Sequence, residues 1–287
     1  MNYTKDWKDY EILKTGDGEK LERWGSVYLL RPDPQVIWHA DGNLAKFKGL
    51  HAHYHRTNTG GGAWEYKQKT PEEWQVSYKN MTFALKPMGF KHTGLFPEQA
   101  YNWDRMIDII KKAGRPISVL NLFAYTGGAT VACASAGASV CHVDAAKNMV
   151  ERAKLNAKLS GLADKPVRYI VDDCRKFIER EIKRGHFYDA IIMDPPSYGR
   201  GTNGEVWKLE DNLADFVELA SKVMSDKPLF MLINSYTTGL GATVLENIMK
   251  KSLSRFKGKY DAYEIGLPTN EGVLLPCGNS AFFIGDK

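Results

Sequence analysis

Cysteine is scarce in this 287-residue chain: there are four, at Cys133, Cys141, Cys174 and Cys277. None forms a Cys-x-x-Cys pair, which excludes a disulfide framework and a cysteine zinc site and leaves reduced, mostly buried thiols as the expectation. No apolar run is long enough to span a membrane, and the polar start, Met1 to Lys20, has no secretory pattern. We therefore expect a cytoplasmic protein with no membrane partner. Neither sign of charge dominates: 39 Lys and Arg against 34 Asp and Glu leave a net +5. That permits a nucleic-acid partner without demanding one. With 43% hydrophobic and 25% charged residues, the chain is an ordinary globular composition of one large or two small domains.

Two regions differ in pattern. Residues 1–90 read as a small β-rich domain suited to docking a substrate. Trp24, Tyr28, Trp38, Trp64, Tyr66, Trp74 and Tyr78 recur at strand-like spacing, and Gly60-Gly61-Gly62 breaks two segments. This predicts a meander or small barrel in which the aromatics fill the core rather than stack on bases. His51, His53 and His55 alternate on one strand face, with His39 nearby. No acid or cysteine completes a clear ligand set, so we read a polar strand face and expect no metal site.

Residues 91–287 read differently. Gly94-Leu95-Phe96-Pro97-Glu98-Gln99 leads into a helix, Ala100 to Ala113, with apolar positions at Trp103, Met106, Ile107 and Ile110. Beyond Ile117, strands are expected at Ser118–Ala124, Ser139–Asp144, Val167–Val171, Asp189–Asp194 and Leu229–Asn234. They alternate with helices at Gly128–Ala136, Lys147–Ser160, Cys174–Arg184, Leu209–Met224 and Ala242–Phe256. That alternation predicts a doubly wound parallel sheet. Two last strands, Tyr260–Gly266 and Ala281–Gly285, have only the loop Leu267 to Ser280 between them, too short for a helix, and so should pair antiparallel.

The chemistry lies at the strand ends. The first strand runs into Asn121-Leu122-Phe123-Ala124-Tyr125-Thr126-Gly127-Gly128. A glycine turn opening a helix suits close approach of an anionic group such as a carboxylate. It has neither the Gly-x-Gly-x-x-Gly spacing of a dinucleotide site nor the Lys-Ser/Thr of a P-loop, so a small nucleoside carrying a carboxylate fits better than a pyrophosphate. Asp144, closing the second strand, suits a ribose diol, because a carboxylate accepts two hydroxyl hydrogen bonds. Asp172 and Asp173 close the third. Either could accept from an adenine amine or cap the next helix; we assign Asp173 to the amine and Asp172 to a supporting role. The fourth strand ends Met193-Asp194-Pro195-Pro196-Ser197-Tyr198. Prolines there stop strand pairing and fix carbonyl directions beside a carboxylate, which suits a polar base edge, and Tyr198 can stack on a base face. The loop Tyr198 to Lys208 reads equally as a substrate lid, with Arg200, Trp207 and Lys208 on phosphate and base, and as a plain connector.

Together, the runs Val119 to Gly128, Val143-Asp144, Asp172-Asp173, Phe187 to Tyr198 and Gly94 to Gln99 resemble the class I S-adenosylmethionine-dependent methyltransferases. They are most similar to the group holding the large-subunit ribosomal RNA cytosine-5 and guanine-N7 enzymes. The resemblance implies an α/β fold: a Rossmann-like seven-stranded methyltransferase sheet, last strand antiparallel, preceded by the β-rich domain. It implies S-adenosylmethionine as cofactor and RNA, best ribosomal RNA, as partner. Phe123, Ala124, Tyr125, Thr126, Gly127 and Gly128 would wrap the methionine part, Asp144 would bind the ribose and Asp173 the adenine, Phe96 and Gln99 would cover the methionine end, and Asn121 and Asp172 would belong to the same cofactor site. Asp194 and Pro195 would face the methyl group, with Tyr198 on the substrate.

One departure redirects the chemistry. Cytosine-5 methylation needs a thiolate that attacks the ring, and in the enzymes resembled it follows the fifth strand. Here that strand ends Ile233-Asn234-Ser235-Tyr236-Thr237-Thr238, without a cysteine. The expectation is therefore direct in-line transfer to a base nitrogen. Ser197 occupies the position where an amino-methyltransferase turn carries its aromatic, so a guanine ring nitrogen fits as well as an exocyclic amine. A small-molecule or protein methyltransferase, and a cofactor-binding protein without transfer activity, remain the alternatives.

Overall fold

The computed structural model describes residues 1–57, 61–200 and 206–286. Gly60 of the glycine run, residues 201–205 of the loop and the side chain of Arg200 lie outside them. The chain divides into two compact units, Tyr3–Tyr101 with Gly266–Cys277, and Met1–Asn2 with Asn102–Ile265 and Gly278–Lys287.

In the first unit, β1 (Tyr10–Gly16), β2 (Glu19–Trp24) and β3 (Val27–Pro32) form the expected antiparallel meander. The sheet then continues by a parallel pairing of β4 (Ala52–Arg56) on β3, and β5 (Gly62–Tyr66) closes it antiparallel. A local alternation pattern cannot reveal that parallel step, which needs the whole crossover 33–51. The order β1-β2-β3-β4-β5 is open, so among the described residues the unit is a sheet rather than a barrel. A second ladder pairs β6 (Trp74–Tyr78) with β7 (Met81–Leu85). Trp24 and Tyr78 are fully buried, in keeping with aromatics as core, while Tyr66 stands exposed. Beside them Arg31 donates to both carboxylate oxygens of Glu22 at 2.6 and 2.8 Å, and the Tyr10 hydroxyl adds a third bond at 2.8 Å. Burial alone would raise the Glu22 pKa; its cationic neighbours outweigh that and bring it to about 2.

The second unit takes up the chain within α1 (Ala100–Lys111). It continues through β8 (Ser118–Leu122), α2 (Gly128–Ser135), β9 (Ser139–Asp144), α3 (Lys147–Leu159), β10 (Val167–Val171) and α4 (Cys174–Arg184). Next come β11 (Ala190–Met193), the short strands β12 (Tyr198–Arg200) and β13 (Val206–Lys208), α5 (Leu209–Ser221) and β14 (Phe230–Ser235). The chain closes with α6 (Ala242–Ser252), β15 (Gly258–Pro268) and β16 (Leu274–Gly285). The seven-stranded order is β10-β9-β8-β11-β14-β16-β15. The first five strands pair in parallel and β16 runs antiparallel to β14. This is the α/β sheet the sequence predicts, last strand antiparallel. The final two strands run longer than expected, because Pro276 and Gly278 make a paired segment look like loop; proline is tolerated in a strand wherever no ladder donor is needed.

Alternation assigns the faces. Leu120, Leu122, Ile191, Met193, Met231 and Ile233 share a core with α4, α5 and α6. The intervening residues face the other way: Asn121 donates to Thr130 of α2 at 3.0 Å, and Asn234 accepts from Asn102 of α1 at 3.2 Å. The chain leaves β8 outward to β10 and returns to β11, so the strand order reverses between β8 and β11. In such sheets ligands bind in the crevice beyond the carboxyl ends at that switch point. Leu122 and Met193 pair there in register, so the two motif turns leave the sheet side by side.

Candidate active site

The turn after β8 carries three left-handed residues within five: Phe123 (φ 53°), Tyr125 (φ 49°) and Gly127 (φ 82°). For the two aromatics this conformation is uncommon, and strain of this kind is held where surrounding structure over-determines it. Four anchors do so. The Phe123 N–H donates to the Cys174 thiol sulfur at 3.3 Å, Ala124 N–H to the Val143 carbonyl at 3.1 Å, and Tyr125 N–H to Asp144 at 2.8 Å. The Thr126 carbonyl accepts from Asn156 Nδ2 at 2.8 Å. Gly127 ends the turn as the cap of α2 and offers that helix no side-chain hydrogen bond. A helix N-terminus left this way favours an anion.

The two glycines are fixed by protein atoms. A Cβ on Gly127 would lie 2.8 Å from Ala153 Cβ, and one on Gly128 would lie 2.8 Å from Trp103 Cζ2. Their absence of side chains lets α3 and α1 close onto the turn. Asn121, which the sequence grouped with the cofactor loop, is buried with its amide donated to Thr130, whose hydroxyl bonds His142 Nδ1 at 2.9 Å. It supports the loop from inside the sheet.

The three strand-end acids separate by role. Asp144 accepts from the N–H groups of Tyr125 and Ala146, both at 2.8 Å, one on each carboxylate oxygen. Burial pushes its pKa up, and those two donors pull part of the way back. Each oxygen keeps a second lone pair for a hydroxyl. Asp173 is the N-cap of α4, accepting from Lys176 N–H at 2.9 Å. Asp172 accepts from Asp173 N–H at 2.9 Å and pairs with Arg180.

The turn after β11 is held by residues that sequence spacing did not single out for the task. Asp194 N–H reaches the Leu122 carbonyl at 3.4 Å. The Trp207 indole Nε1 donates to the Pro196 carbonyl at 2.6 Å, and Thr237 Oγ1 donates to Ser197 Oγ at 2.7 Å. The Trp207 ring packs 5.6 Å from both Phe123 and Phe216. Tyr198 opens the ladder β12–β13, opposite Lys208, and is 51% exposed. The ends of the loop are thus paired strands, and Trp207 braces the turn instead of standing free in a lid. Pro195 is buried.

Phe96 and Gln99 belong to the first unit. Phe96 caps the one-turn helix Pro97–Gln99 with its ring 5.3 Å from His92, and Gln99 is buried. All four thiols are pushed up in pKa by burial. Ser235, which ends β14, is buried. Among the described residues no helix is long and apolar enough to cross a membrane.

Comparison with known proteins agrees with this geometry. A family model described as S-adenosylmethionine-dependent methyltransferase matches residues 36–250. A solved methyltransferase from Agrobacterium tumefaciens, described as S-adenosylmethionine-dependent, is 32% identical, covers 99% of this chain and 93% of its own, and superposes with a TM-score of 0.92. The ribosomal RNA large subunit methyltransferase K of Neisseria meningitidis is 24% identical over 253 residues, 84% of this chain and 70% of that protein. The K/L enzyme of Syntrophotalea carbinolica is 27% identical over 183 residues, 63% of this chain. The chain spans a quarter of that enzyme's length.

Proposed function

The chain belongs to the S-adenosylmethionine-dependent methyltransferase family, with S-adenosylmethionine as its cofactor. Within that family we propose that it methylates a base nitrogen of RNA, ribosomal RNA first, by direct in-line transfer without a covalent cysteine intermediate. The donor set fits the cofactor. The α2 N-terminus, with no side-chain cap, suits the amino-acid carboxylate, and the desolvated Asp144 carboxylate suits a diol. Asp173 keeps an oxygen beyond its cap bond for an adenine amine. When bound, the cofactor supplies an electrophilic methyl group on a sulfonium.

The remaining work falls to the chain's own residues. Asp194 and the carbonyl of Pro195 orient the base edge, and Tyr198 stacks on its face. A base nitrogen held there would offer its lone pair in line to that methyl group, and any proton left on the nitrogen would pass to solvent. No charged enzyme intermediate is needed. Alignment alone is worth about 7–11 kcal/mol in such reactions.

The single observation that carries this reading is the rigid Asp194-Pro195-Pro196 turn leaving the switch point in register with the glycine turn. Against a covalent route stand four thiols held protonated by burial and a serine where the fifth strand ends. The RNA assignment draws on the names of the curated relatives and the net charge of +5.

The test uses methyl-labelled S-adenosylmethionine with total RNA and, separately, protein extract, both from a strain lacking the gene. Label in one ribosomal RNA nucleoside supports the reading, and the nucleoside identifies the atom. Recovery of 5-methylcytidine overturns the non-covalent route. Label in protein alone, or in neither fraction despite cofactor binding, transfers the assignment to a protein or small-molecule acceptor, or to a binding protein.

A further inference from the structure

The alternating histidines of β4 acquire partners in the fold that local sequence does not show. His39 and His51 are spent elsewhere: His39 pairs with Asp17 at 3.0 Å, and His51 Nδ1 accepts from Tyr28 N–H at 3.1 Å. His53 and His55 share one strand face, their rings 3.9 Å apart. The antiparallel register sets Glu65 of β5 directly across from His53. Two carboxylates converge on the two imidazoles. His53 Nε2 meets Glu19 of β2 at 2.5 Å, and His55 Nε2 meets Glu65 at 2.8 Å. One ligand atom from each of His53, His55 and Glu65 lies within 4.8 Å of the others.

We propose that His53, His55 and Glu65 form a zinc-binding site that staples β4 to β5, with Glu19 holding the His53 ring in place through its other contact. Donor chemistry selects the ion. Two imidazole nitrogens with a carboxylate oxygen suit zinc and neighbouring transition ions, whereas magnesium and calcium take oxygen sets. The dimensions are within reach. Zinc holds nitrogen and oxygen ligands tetrahedrally at about 2.0–2.2 Å, so its ligand atoms stand about 3.4 Å apart. A spread of up to 4.8 Å closes by about an ångström, within the reach of side-chain rotation. His55 and Glu65, at 52% and 48% side-chain exposure, have the freedom to move, while His53 is nearly buried and anchors the set. Lys67 competes, because it pairs with Glu65; the ion takes its place. Strand pairing between β4 and β5 preorganises the ligands, which lowers the ordering cost of binding.

The test is calorimetric titration of the full, tag-free chain, freed of metal, with zinc chloride and, in parallel, magnesium chloride. We expect one zinc per chain and no magnesium heat. Loss of an outer partner of a metal ligand costs about 10–100-fold in affinity, so His55→Ala and Glu65→Gln, which remove ligands, should weaken zinc at least that much. Both positions are exposed enough for the variants to fold, checked by circular dichroism. Lys67→Gln should tighten zinc binding, which an adventitious surface site would not do. Absence of saturable zinc binding, or a zinc site unchanged in His55→Ala, overturns the proposal.

Discussion

The indole of Trp207 reaches back eleven residues to donate to the carbonyl of Pro196, at 2.6 Å. The same ring lies against Phe123 of the glycine turn. One side chain therefore ties both motif turns together, and under the proposed function it sets how the acceptor-holding turn stands against the cofactor turn. Trp207→Phe keeps the ring and removes the donor. Loss of one hydrogen bond should cost about 1 kcal/mol in stability. Displacement of the Asp-Pro-Pro turn should cost more in turnover, about 10–100-fold in kcat, since misplacement by an ångström has that effect. Affinity for S-adenosylhomocysteine, read by calorimetry, should stay within about twofold. An unchanged kcat would remove the bracing role.

Asp173 has two roles that substitution can separate. As N-cap of α4 it bonds Lys176 N–H, and Ala at such a position costs about 1 kcal/mol, whereas Ser caps nearly as well. If its free oxygen also receives the adenine amine, Asp173→Ser should fold normally yet bind cofactor about 10–150-fold more weakly, the range for a hydrogen bond to a charged group. Asp173→Ala should lose both. Normal cofactor affinity in Asp173→Ser would leave only the cap.

These two residues mark how far the sequence could be read. The sheet was legible because apolar strands, glycine turns and strand-end acids each carry a local signature, and the short connection between the last two strands implied their reversal. The capping alternative for Asp173 was legible for the same reason. Trp207 was not: its partners, Pro196, Phe123 and Phe216, follow from the return of β13 alongside β12, a tertiary event. The Cys174 thiol under Phe123 and the Glu19 and Glu65 carboxylates beside His53 and His55 escaped likewise, since strand register and sheet order decide them. Motif position groups Asn121 with the cofactor turn, and strand alternation turns its amide inward to Thr130.

Tyr198, exposed at the start of β12, is assigned to stacking on the base. Base–aromatic stacking is worth about 1–3 kcal/mol by alanine substitution. Tyr198→Ala should therefore raise KM for RNA by about 5–150-fold, and Tyr198→Phe should restore it, because the ring face carries the interaction. Cofactor affinity should be unaffected in both. Equal KM values for the wild type and Tyr198→Ala, measured by label transfer to ribosomal RNA, would leave the hydroxyl and ring without a substrate role.

His142 sits beneath the glycine turn, fully buried, with Nδ1 on Thr130 and Nε2 without a partner. Burial brings its pKa down to about 3. In the unfolded chain it titrates near 6.5, so between those values the unfolded state binds more protons and stability rises with pH. The contribution is complete above pH 6.5 and is lost as pH falls toward 3, at up to about 1.4 kcal/mol per unit. His92 in the other unit, also held down to about 3 by burial, acts with the same sign on its own unit. Asp144 acts oppositely, since its raised pKa makes the folded state the better proton binder. Urea unfolding between pH 6.5 and 5 reads the histidine range, and comparison of variant with wild type cancels the opposing Asp144 contribution. His142→Phe should flatten the pH dependence of the transition followed by protection of α2 and β9 amides from hydrogen exchange, and leave that of β6 and β7 unchanged. An identical slope in both proteins would mean that water or a rearranged partner keeps His142 titrating as in the unfolded chain.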